Sequence, residues 1–419
     1  MQRTLNFIDP LAHWASGGKR NVRQSLIFPF LCLCFTLLPS GSAQNVTQWR
    51  VPEGNAAPAD TAAINAIAFS LDGTQLAIAS ANRITLYDTY TRKELALFSA
   101  PLDNTVALAF SPDNRTVASA SGDATLHLWD ARTGEHSTHL WHTYPVVALA
   151  FSPDGNTLAT GSFRKIRLWN LTTGQPTQAS VLEGHRDMVT TLAFSPDSKI
   201  LASTSFYGTI LLWDIETGQR RHNLPAHTDS ITALTFSPDN RTLASGGYWS
   251  LDAESTIHLW DIHTGHLLTT VEGHTDPVFA LAFSPDPPSV NGEAASDNIY
   301  GNTLASAGWD STIRLWHPQT GPLHGTLEGN TPPVFALAFL PDSHSTYSNT
   351  LASVNLDGTI QLWSLTAAPK SWDVNADGVV NVLDLTFIAS RFGESAPDLN
   401  GDGIVNILDL TLIANHIGE

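Results

Sequence analysis

One two-part sequence pattern recurs seven times between residues 68 and 363. Its first half is an apolar segment ending in a turn: AFSLD at 68–72, AFSPD at 109–113, 150–154, 193–197 and 282–286, TFSPD at 235–239, and AFLPD at 338–342. Its second half ends in an aromatic residue: Tyr87, Trp129, Trp169, Trp213, Trp260, Trp316 and Trp363. These aromatic residues are 42, 40, 44, 47, 56 and 47 residues apart. Short alternating segments at this period indicate repeated four-stranded sheets.

The two fullest copies are LASAGWDSTIRLW at 304–316 and LASVNLDGTIQLW at 351–363. They resemble the motif LASxGxDxTIxLWDxxTG of WD-repeat β-propellers, and the resemblance covers roughly residues 47–365. It implies an all-β, seven-bladed propeller that serves as a binding platform. The family locks a blade with a hydrogen-bonded set of His, Ser or Thr, Asp and Trp. The resemblance assigns the full set to His274, Ser306, Asp310 and Trp316, and partial sets to other copies.

The last copy lacks sequence for a fourth strand, because the chain runs on after Trp363 toward a different motif. The segment QWRVPEGN at 48–55 is similar to the outer-strand segments TTVEGH at 269–274 and GTLEGN at 325–330. We therefore expect residues 47–53 to supply the missing strand of a domain that spans 44–365. Such pairing removes an exposed sheet edge.

A twelve-residue loop occurs twice near the C-terminus, as DVNADGVVNVLD at 373–384 and DLNGDGIVNILD at 398–409. Oxygen-bearing residues at loop positions 1, 3, 5, 9 and 12, with glycine at position 6, are typical of a calcium site. Both loops end in Asp rather than Glu. The sequence predicts two Ca²⁺ ions. The candidate ligands are Asp373, Asn375, Asp377, the Val379 carbonyl, Asn381 and Asp384, and then Asp398, Asn400, Asp402, the Ile404 carbonyl, Asn406 and Asp409.

The two loop-helix units are identical at 13 of 21 aligned positions. Residues 372–419 resemble a type I dockerin, which implies a small α calcium-binding domain joined by the linker 366–371 and a cohesin-like partner. The resemblance assigns partner contacts to Val382, Leu383, Ile407 and Leu408. The apolar character of these residues favours an apolar contact. The alternative is that calcium only stabilises a domain too small to bury a sufficient core.

The N-terminus has the pattern of an export signal. Lys19, Arg20 and Arg23 precede an apolar run at 26–38, and the small residues at 41–43 offer a cleavage site. The run is too short for a membrane span. We expect residues 1–43 to be a signal peptide and the mature chain to be extracellular, at the cell surface or periplasmic, without a membrane span. Both cysteines lie in this signal.

Composition and motifs limit the function classes. The net charge of −18 and the absence of a basic patch argue against a nucleic-acid partner. Histidines and aspartates recur at fixed repeat positions, and no nucleophile elbow, zinc helix or phosphate loop is present, so the sequence predicts no enzyme. The runner-up is a carbohydrate-active protein, a glycoside hydrolase or an accessory to one, with Asp252 and Glu254, or Glu293 and Asp297, as acidic pairs.

Three insertions interrupt the repeat, at 248–255, 287–302 and 343–349. The first should lie on the face that carries the turn before each Trp strand, and the others on the opposite face. Tyr248 and Trp249 are candidates for stacking on a sugar or gripping a peptide. The sequence therefore predicts an exported, non-catalytic protein with an unknown protein or glycan ligand at the propeller face.

Overall fold

Within the described residues the regular structure consists of strands, with helical conformation at Ala389 alone. The computed structural model describes residues 46–50, 64–70, 72–80, 83–89, 91–99, 105–173, 175–206, 208–227, 230–247, 255–285, 303–317, 323–327, 333–340, 350–365 and 389. The predicted signal peptide, the linker and the two calcium loops lie outside this part of the chain.

Twenty-seven strands make up the described part of the fold. They are β1 Val46–Arg50, β2 Ile64–Phe69, β3 Gln75–Ser80, β4 Arg83–Asp88, β5 Glu94–Ser99, β6 Thr105–Phe110, β7 Thr116–Ser121, β8 Thr125–Asp130, β9 His136–Trp141, β10 Ala148–Phe151, β11 Thr157–Gly161, β12 Phe163–Asn170, β13 Thr177–Phe194, β14 Ile200–Ser205, β15 Thr209–Asp214, β16 Arg220–Pro225, β17 Ile231–Phe236, β18 Thr242–Gly247, β19 Ser255–Asp261, β20 Leu267–His274, β21 Val278–Phe283, β22 Leu304–Gly308, β23 Ile313–Trp316, β24 Leu323–Leu327, β25 Val334–Leu340, β26 Thr350–Asn355 and β27 Thr359–Ser364.

The strands pair antiparallel in chain order, as expected for strands joined by short turns. Strands β2–β5, β6–β9, β17–β20 and β21–β24 each form a four-stranded sheet. Strands β10–β16 form one seven-stranded sheet, because the 18-residue strand β13 pairs with β12 through its first half and with β14 through its second. The sheets repeat one sequence pattern, so equivalent residues occupy equivalent places in each.

The sheet of the last copy contains a strand from the other end of the domain. Strand β1 pairs antiparallel with β27, and Val46 lies opposite Trp363 while Arg50 lies opposite Thr359. The sheet order is therefore β1, β27, β26, β25. The sequence predicts this strand at 47–53, and the structure gives it the bounds Val46–Arg50.

Burial follows strand position within each sheet. The second strand β14, ILASTS, is buried throughout, whereas the outer strand β9, HSTHLW, is mostly exposed. Small side chains such as Ala and Ser on the second strands allow neighbouring sheets to approach closely, and the aromatic residue of the third strand packs between them. Apolar side chains are thus buried on both faces of the middle strands.

Consecutive sheets are joined by hydrophobic clusters. Phe98 of β5 stacks on Trp129 of β8 at 5.6 Å between ring centroids, in a cluster shared by the first two sheets. Further clusters connect each group of strands to the next. A further cluster joins the last sheet to the first, because Leu76 and Tyr87 of β3 and β4 pack with Val354 and Ile360 of β26 and β27. The β25–β27 sheet therefore contacts the β2–β5 sheet.

The FSPD turns are closed by a repeated side-chain contact. In AFSPD at 109–113, Ser111 Oγ donates to Asp113 Oδ1 at 2.5 Å and accepts from the amide of Thr116 at 2.9 Å. Asn114 takes the left-handed conformation that the turn requires, with φ of 58°. Adjacent turns also bond to each other, since the Asp154 amide donates to Ser198 Oγ. These contacts fix one end of the sheets.

A β-bulge precedes most of the aromatic residues of the third strands. In the β8–β9 pair the register shifts between Leu128 and Trp129, so that Trp129 lies opposite His136 while Leu128 lies opposite Thr138. The same shift occurs at Leu86/Tyr87, Leu168/Trp169, Leu212/Trp213, Leu259/Trp260 and Leu315/Trp316. At each shift one residue of the outer strand has no cross-strand partner. The side chain of the residue before it therefore lies on the opposite face of the sheet from the one that regular alternation would give.

The structure shortens one predicted insertion. Ser255 was expected to end the insertion at 248–255, but it begins β19, lies opposite His274 and is 6% exposed. A buried hydroxyl in register with the outer strand belongs to the sheet rather than to a loop. Residues 248–254, with Tyr248 and Trp249, connect β18 to β19 and lie outside the described residues.

Candidate functional site

The Trp residues that end the third strands are hydrogen-bonded to the neighbouring second strand. Each indole Nε1 donates to the hydroxyl of a buried Ser or Thr, over 2.7 to 3.0 Å. The pairs are Trp129 with Ser119, Trp169 with Thr160, Trp213 with Ser203, Trp260 with Ser245, Trp316 with Ser306, and Trp363 with Ser353. This contact satisfies the only polar group of a buried indole.

The bond from Trp316 is part of a chain of four residues that links β20 to the β21–β24 sheet. His274 Nε2 lies 2.6 Å from Ser306 Oγ, and His274 Nδ1 donates to Asp310 Oδ2 at 2.7 Å. The structure thus brings together the four residues that the sequence singled out, including Trp316. Burial favours the neutral acid at Asp310, but the bonds and charge of His274, with the bonds from Thr312, outweigh it and hold the pKa at about 2.

Serine, histidine and aspartate here follow the order of a hydrolytic triad, yet the arrangement cannot supply a nucleophile. Ser306 has no exposed surface, and its hydroxyl already accepts from Trp316. A nucleophilic serine must reach a substrate carbonyl beside oxyanion-stabilising donors. At this position the chain of hydrogen bonds joins the outer strand β20 to the next sheet, which contains Ser306 and Trp316. The acidic residues of the runner-up reading, Asp252, Glu254, Glu293 and Asp297, lie outside the described residues.

Three further histidines occupy the equivalent position. His185 Nε2 lies 2.7 Å from Ser203 Oγ, and His227 Nε2 lies 3.0 Å from Ser245 Oγ. His142 Nε2 lies 3.4 Å from Thr160 Oγ1, and sequence reasoning missed it. The available signal was its position nine residues before Phe151, which matches the spacing from His185 to Phe194.

Burial keeps these histidines neutral. It lowers the pKa of His185 to about 4. The pKa of His142 falls to about 4 through burial and the nearby charge of Arg167. The pKa of His227 also falls to about 4, through burial and the adjacent His258 ring, which stacks on it at 4.3 Å. Neutral imidazoles are the forms that these packed hydrogen-bonded positions require.

An aromatic group lies where the β21–β24 and β25–β27 sheets meet. Phe279 of β21 stacks on Phe335 of β25 at 4.7 Å between centroids, with 13° between their planes. Trp309, in the turn between β22 and β23, meets both rings edge-on at 6.1 and 6.4 Å. All three side chains are partly exposed. They offer a preformed aromatic surface contributed by two sheets.

A second aromatic group lies at equivalent positions of other sheets. Tyr144, before β10, contacts Phe163 at 5.4 Å, and the Arg164 guanidinium sits 4.9 Å above the Phe163 ring. Arg164 is held there because its Nε donates to the Arg186 carbonyl at 2.8 Å. In the next turn of this kind, Phe206 is 42% exposed. A guanidinium on an aromatic ring presents both an apolar and a cationic surface.

We call the end of the sheets that carries these residues the turn face. It comprises the turns between second and third strands and the starts of the first strands. Its described apolar residues are Tyr144, Phe163, Phe206, Phe279, Trp309, Phe335 and Leu356. The predicted loop with Tyr248 and Trp249 enters and leaves the sheet on the same face. Sequence reasoning missed the others, although Phe163, Phe206, Trp309 and Leu356 all occupy the motif position between the Gly and the Asp of xGxD.

The described residues show no preformed metal site and no helix that could span a membrane. No group of three or more His, Cys, Asp or Glu side chains within them is arranged to hold an ion. No helix in the same residues has the length and apolarity needed to cross a bilayer. The candidate calcium ligands of 373–384 and 398–409 and the candidate partner contacts Val382, Leu383, Ile407 and Leu408 lie outside this part of the chain.

Sequence comparison matches the repeated part of the chain to one family. The family described as WD domain, G-beta repeat matches residues 92–130, 134–170, 176–214, 218–261, 265–317 and 321–364. These segments make up more than half of the chain. The protein belongs to the WD-repeat family. Its fold is accordingly the all-β, propeller-like arrangement typical of WD repeats, a family of protein-interaction platforms.

Two curated proteins match short segments of this WD-repeat protein. Intraflagellar transport protein 122 homolog of Homo sapiens is 35% identical over 69 residues, which is 16% of this chain and 6% of that protein. Protein ANTHESIS POMOTING FACTOR 1 of Arabidopsis thaliana is 39% identical over 74 residues, which is 17% of this chain and 22% of that protein. The matches span less than a quarter of either relative, so they bear on the repeat rather than on a shared activity.

Proposed function

We propose that this protein is an exported, non-catalytic interaction protein whose turn face binds a protein partner and whose C-terminal module attaches it to a cohesin-type scaffold or cell-surface partner. The observation that carries the first part is the aromatic group of Phe279, Trp309 and Phe335. Aromatic side chains that are rigidly packed yet partly exposed are the usual anchors of protein interfaces. Membership of the WD-repeat family supports the same reading.

The proposal includes a ring of seven blades. It counts β10–β13 and β13–β16 as two blades that share the long strand β13, and β25–β27 with β1 as the last. Two observations support this count: the clusters that join consecutive sheets, and the contact of Leu76 and Tyr87 with Val354 and Ile360. A closed ring leaves no terminal sheet with an uncovered apolar face.

The partner expected at the turn face is a protein segment with apolar side chains. The rings of Phe279 and Phe335 stack on each other, so their outer surfaces remain for the ligand. Full-length protein should capture a surface-fraction protein from the source organism, and Phe279→Ala with Trp309→Ala should lose that capture. Leu267→Ala with Leu268→Ala is the matched control, since these β20 residues are 47% and 55% exposed away from the turn face. Equal capture by both double variants would contradict the proposal, and displacement by oligosaccharides would assign the face to a glycan.

Attachment rests on the duplicated loops of residues 372–419 and on their resemblance to a type I dockerin. Two Ca²⁺ ions would order the module, and Val382, Leu383, Ile407 and Leu408 would contact the partner. A calcium titration of the full chain should show two sites that Asp373→Ala with Asp398→Ala abolishes. Chelator should release the scaffold partner without affecting capture at the turn face. If calcium binds but no partner binds in a calcium-dependent way, the module has only a structural role.

Absence of catalysis is part of the proposal. It is supported by His185, His227 and His274, whose imidazoles are hydrogen-bonded to buried serines. The competing reading, a carbohydrate-active protein, predicts polysaccharide cleavage by the full chain. Cleavage that is lost in Asp252→Ala or in Glu293→Ala would overturn the non-catalytic assignment.

A further inference from the structure

Three imidazoles converge on the outer part of the β6–β9 sheet, away from the turn face. The centroid of the His127 ring on β8 lies 5.0 Å from that of His136 and 6.1 Å from that of His139, both on β9. The His136 and His139 rings are 5.9 Å apart. The cluster has no counterpart in the described part of the other sheets, and the WD-repeat pattern does not require it.

A β-bulge creates this cluster. In a regular strand, residues three apart point to opposite faces, which would separate His136 from His139. The register shift at Leu128/Trp129 leaves one extra residue on β9, so His139 lies opposite His127 and His136 lies opposite Trp129. All four side chains therefore share one face of the sheet.

A hydrogen-bond chain fixes the tautomer of His127. Thr125 Oγ1 donates its only proton to Asp123 Oδ1 at 2.5 Å, because a carboxylate can only accept. Thr125 Oγ1 must then accept from His127 Nε2, 3.1 Å away. The lone pair of His127 is consequently on Nδ1, and it faces His136 Nε2 at 2.9 Å. Histidines that bind metals commonly have the second ring nitrogen held in this way.

The cluster combines one fixed ring with two accessible ones. His127 is 8% exposed, whereas His136 and His139 are both exposed. Trp141, 65% exposed, meets the His139 ring edge-on at 5.5 Å and borders the cluster on the outer strand. An ion can thus reach the cluster from solvent without opening the sheet.

We propose that His127 Nδ1, His136 Nε2 and one nitrogen of His139 bind a single divalent transition-metal ion of the Zn²⁺ type. Imidazole nitrogens suit Zn²⁺, Cu²⁺ and Ni²⁺. Three such ligands leave a fourth position for water or for a group supplied by a partner. The site is distinct from the calcium loops, whose oxygen ligands select a harder ion.

Binding requires a small rearrangement. As the rings now lie, no three side chains surround a common point. Nitrogens bound to one tetrahedral ion at about 2.0–2.1 Å are roughly 3.4 Å apart, so the two facing nitrogens must separate by about 0.5 Å. His139 must also turn toward them. Both movements fall on exposed side chains of the outer strand, while the buried ring of His127 keeps its hydrogen bond to Thr125.

The proposal is tested by Zn²⁺ titration of the full chain, saturated with Ca²⁺, in a calorimeter. Wild type should bind one more equivalent than His136→Gln with His139→Gln. Co²⁺ bound in place of Zn²⁺ should give the visible absorption of a tetrahedral site in wild type and not in this variant. The matched control is His263→Gln with His266→Gln, which removes two exposed imidazoles with the same spacing from the turn between β19 and β20. It should retain the full stoichiometry.

The variant Thr125→Val tests whether the hydrogen bond from His127 to Thr125 supports metal binding. It leaves the rings of His136 and His139 in place. Without the hydroxyl, Nε2 of His127 loses its acceptor, and the Zn²⁺ affinity should fall about ten- to a hundredfold. Unchanged affinity would overturn the positioning role of Thr125. Identical Zn²⁺ stoichiometry in wild type and in the His136/His139 double variant, or an equal loss in the control pair, would overturn the site itself.

Discussion

His274 Nδ1 lies 2.7 Å from Asp310 Oδ2, and the two side chains are only 1% and 5% exposed. Among the described residues this is the one place where the His, Ser, Asp and Trp chain is complete. Asp310 also accepts from the amide and hydroxyl of Thr312, so it joins a turn to the preceding outer strand.

We therefore expect Asp310→Asn to destabilise the protein by about 2–3 kcal/mol, because a buried hydrogen bond to a charged group is replaced by a weaker one. The urea midpoint, followed by tryptophan fluorescence, measures the effect. Asp357→Asn is the control, since Asp357 holds the same turn position but is exposed. A loss of similar size in both variants would show that the turn, and not the histidine chain, is responsible.

Acid sensitivity should follow from His185, which is 7% exposed and has a pKa of about 4 against an ordinary 6.5. The unfolded chain binds a proton near pH 6.5 and the folded chain does not. The stability due to this residue is therefore complete above about pH 6.5 and is lost as the pH falls toward 4. At pH 5 the expected loss is about 2 kcal/mol relative to pH 7.5.

His185→Gln should remove that part of the pH dependence, because glutamine can bond to Ser203 without titrating. Urea unfolding at several pH values between 7.5 and 5 gives the slopes to compare. His266→Gln, at an exposed position, should leave the slope as in wild type. An unaltered slope in His185→Gln would contradict this assignment.

The pairing of β1 with β27 predicts that two cysteines introduced at opposite positions of these strands form a disulfide. Thr47 lies opposite Leu362, and Gln48 lies opposite Gln361. Neighbouring antiparallel pairs alternate between hydrogen-bonded and non-hydrogen-bonded geometry, so one of the two suits a disulfide better. Cysteines at that pair should oxidise readily and stabilise the fold by about 2–4 kcal/mol. Non-reducing electrophoresis and urea unfolding test this, with the single-cysteine variants as controls. Failure of both pairs to oxidise would mean that β1 does not occupy this position in solution.

Gly308 at the end of β22 should not tolerate a methyl group. A Cβ there would overlap the Pro277 carbonyl oxygen, a backbone atom that cannot move aside cheaply. Gly308→Ala should cost about 1–3 kcal/mol or more. Gly122→Ala, in a turn with nothing within 4 Å of the added atom, should be neutral or slightly stabilising. Thermal unfolding of the two variants decides, and equal midpoints would contradict the packing argument.

The sequence allowed the strands to be predicted because each repeat contains the same alternation of apolar residues and the same turn chemistry. The resemblance to WD repeats also indicated the set of His274, Ser306, Asp310 and Trp316. His142 was missed because its repeat has Thr160 and a shortened turn with Phe163 and Arg164 in place of the usual serine and aspartate. These substitutions alter the sequence pattern around His142, although the sheet geometry keeps its position the same as that of His185.

The contacts of the candidate sites could not be predicted from periodicity. Phe279, Trp309 and Phe335 come from two repeats and meet only because consecutive sheets pack side by side. His136 and His139 share a face because of a bulge whose position depends on the neighbouring strand. Such contacts are set by pairing register and sheet packing, which a single sequence does not display.

The pairing of Val46 with Trp363 has a consequence for synthesis on the ribosome. The first strand of the domain emerges before all others, and its neighbour emerges last. At elongation rates of about 5–20 residues per second, β1 must wait roughly 15–60 s for its partner. During this time its backbone groups are open to other chains or to chaperones. The β1–β27 pair can therefore form only after β27 has been translated. The sheets made earlier must persist until then without this pair.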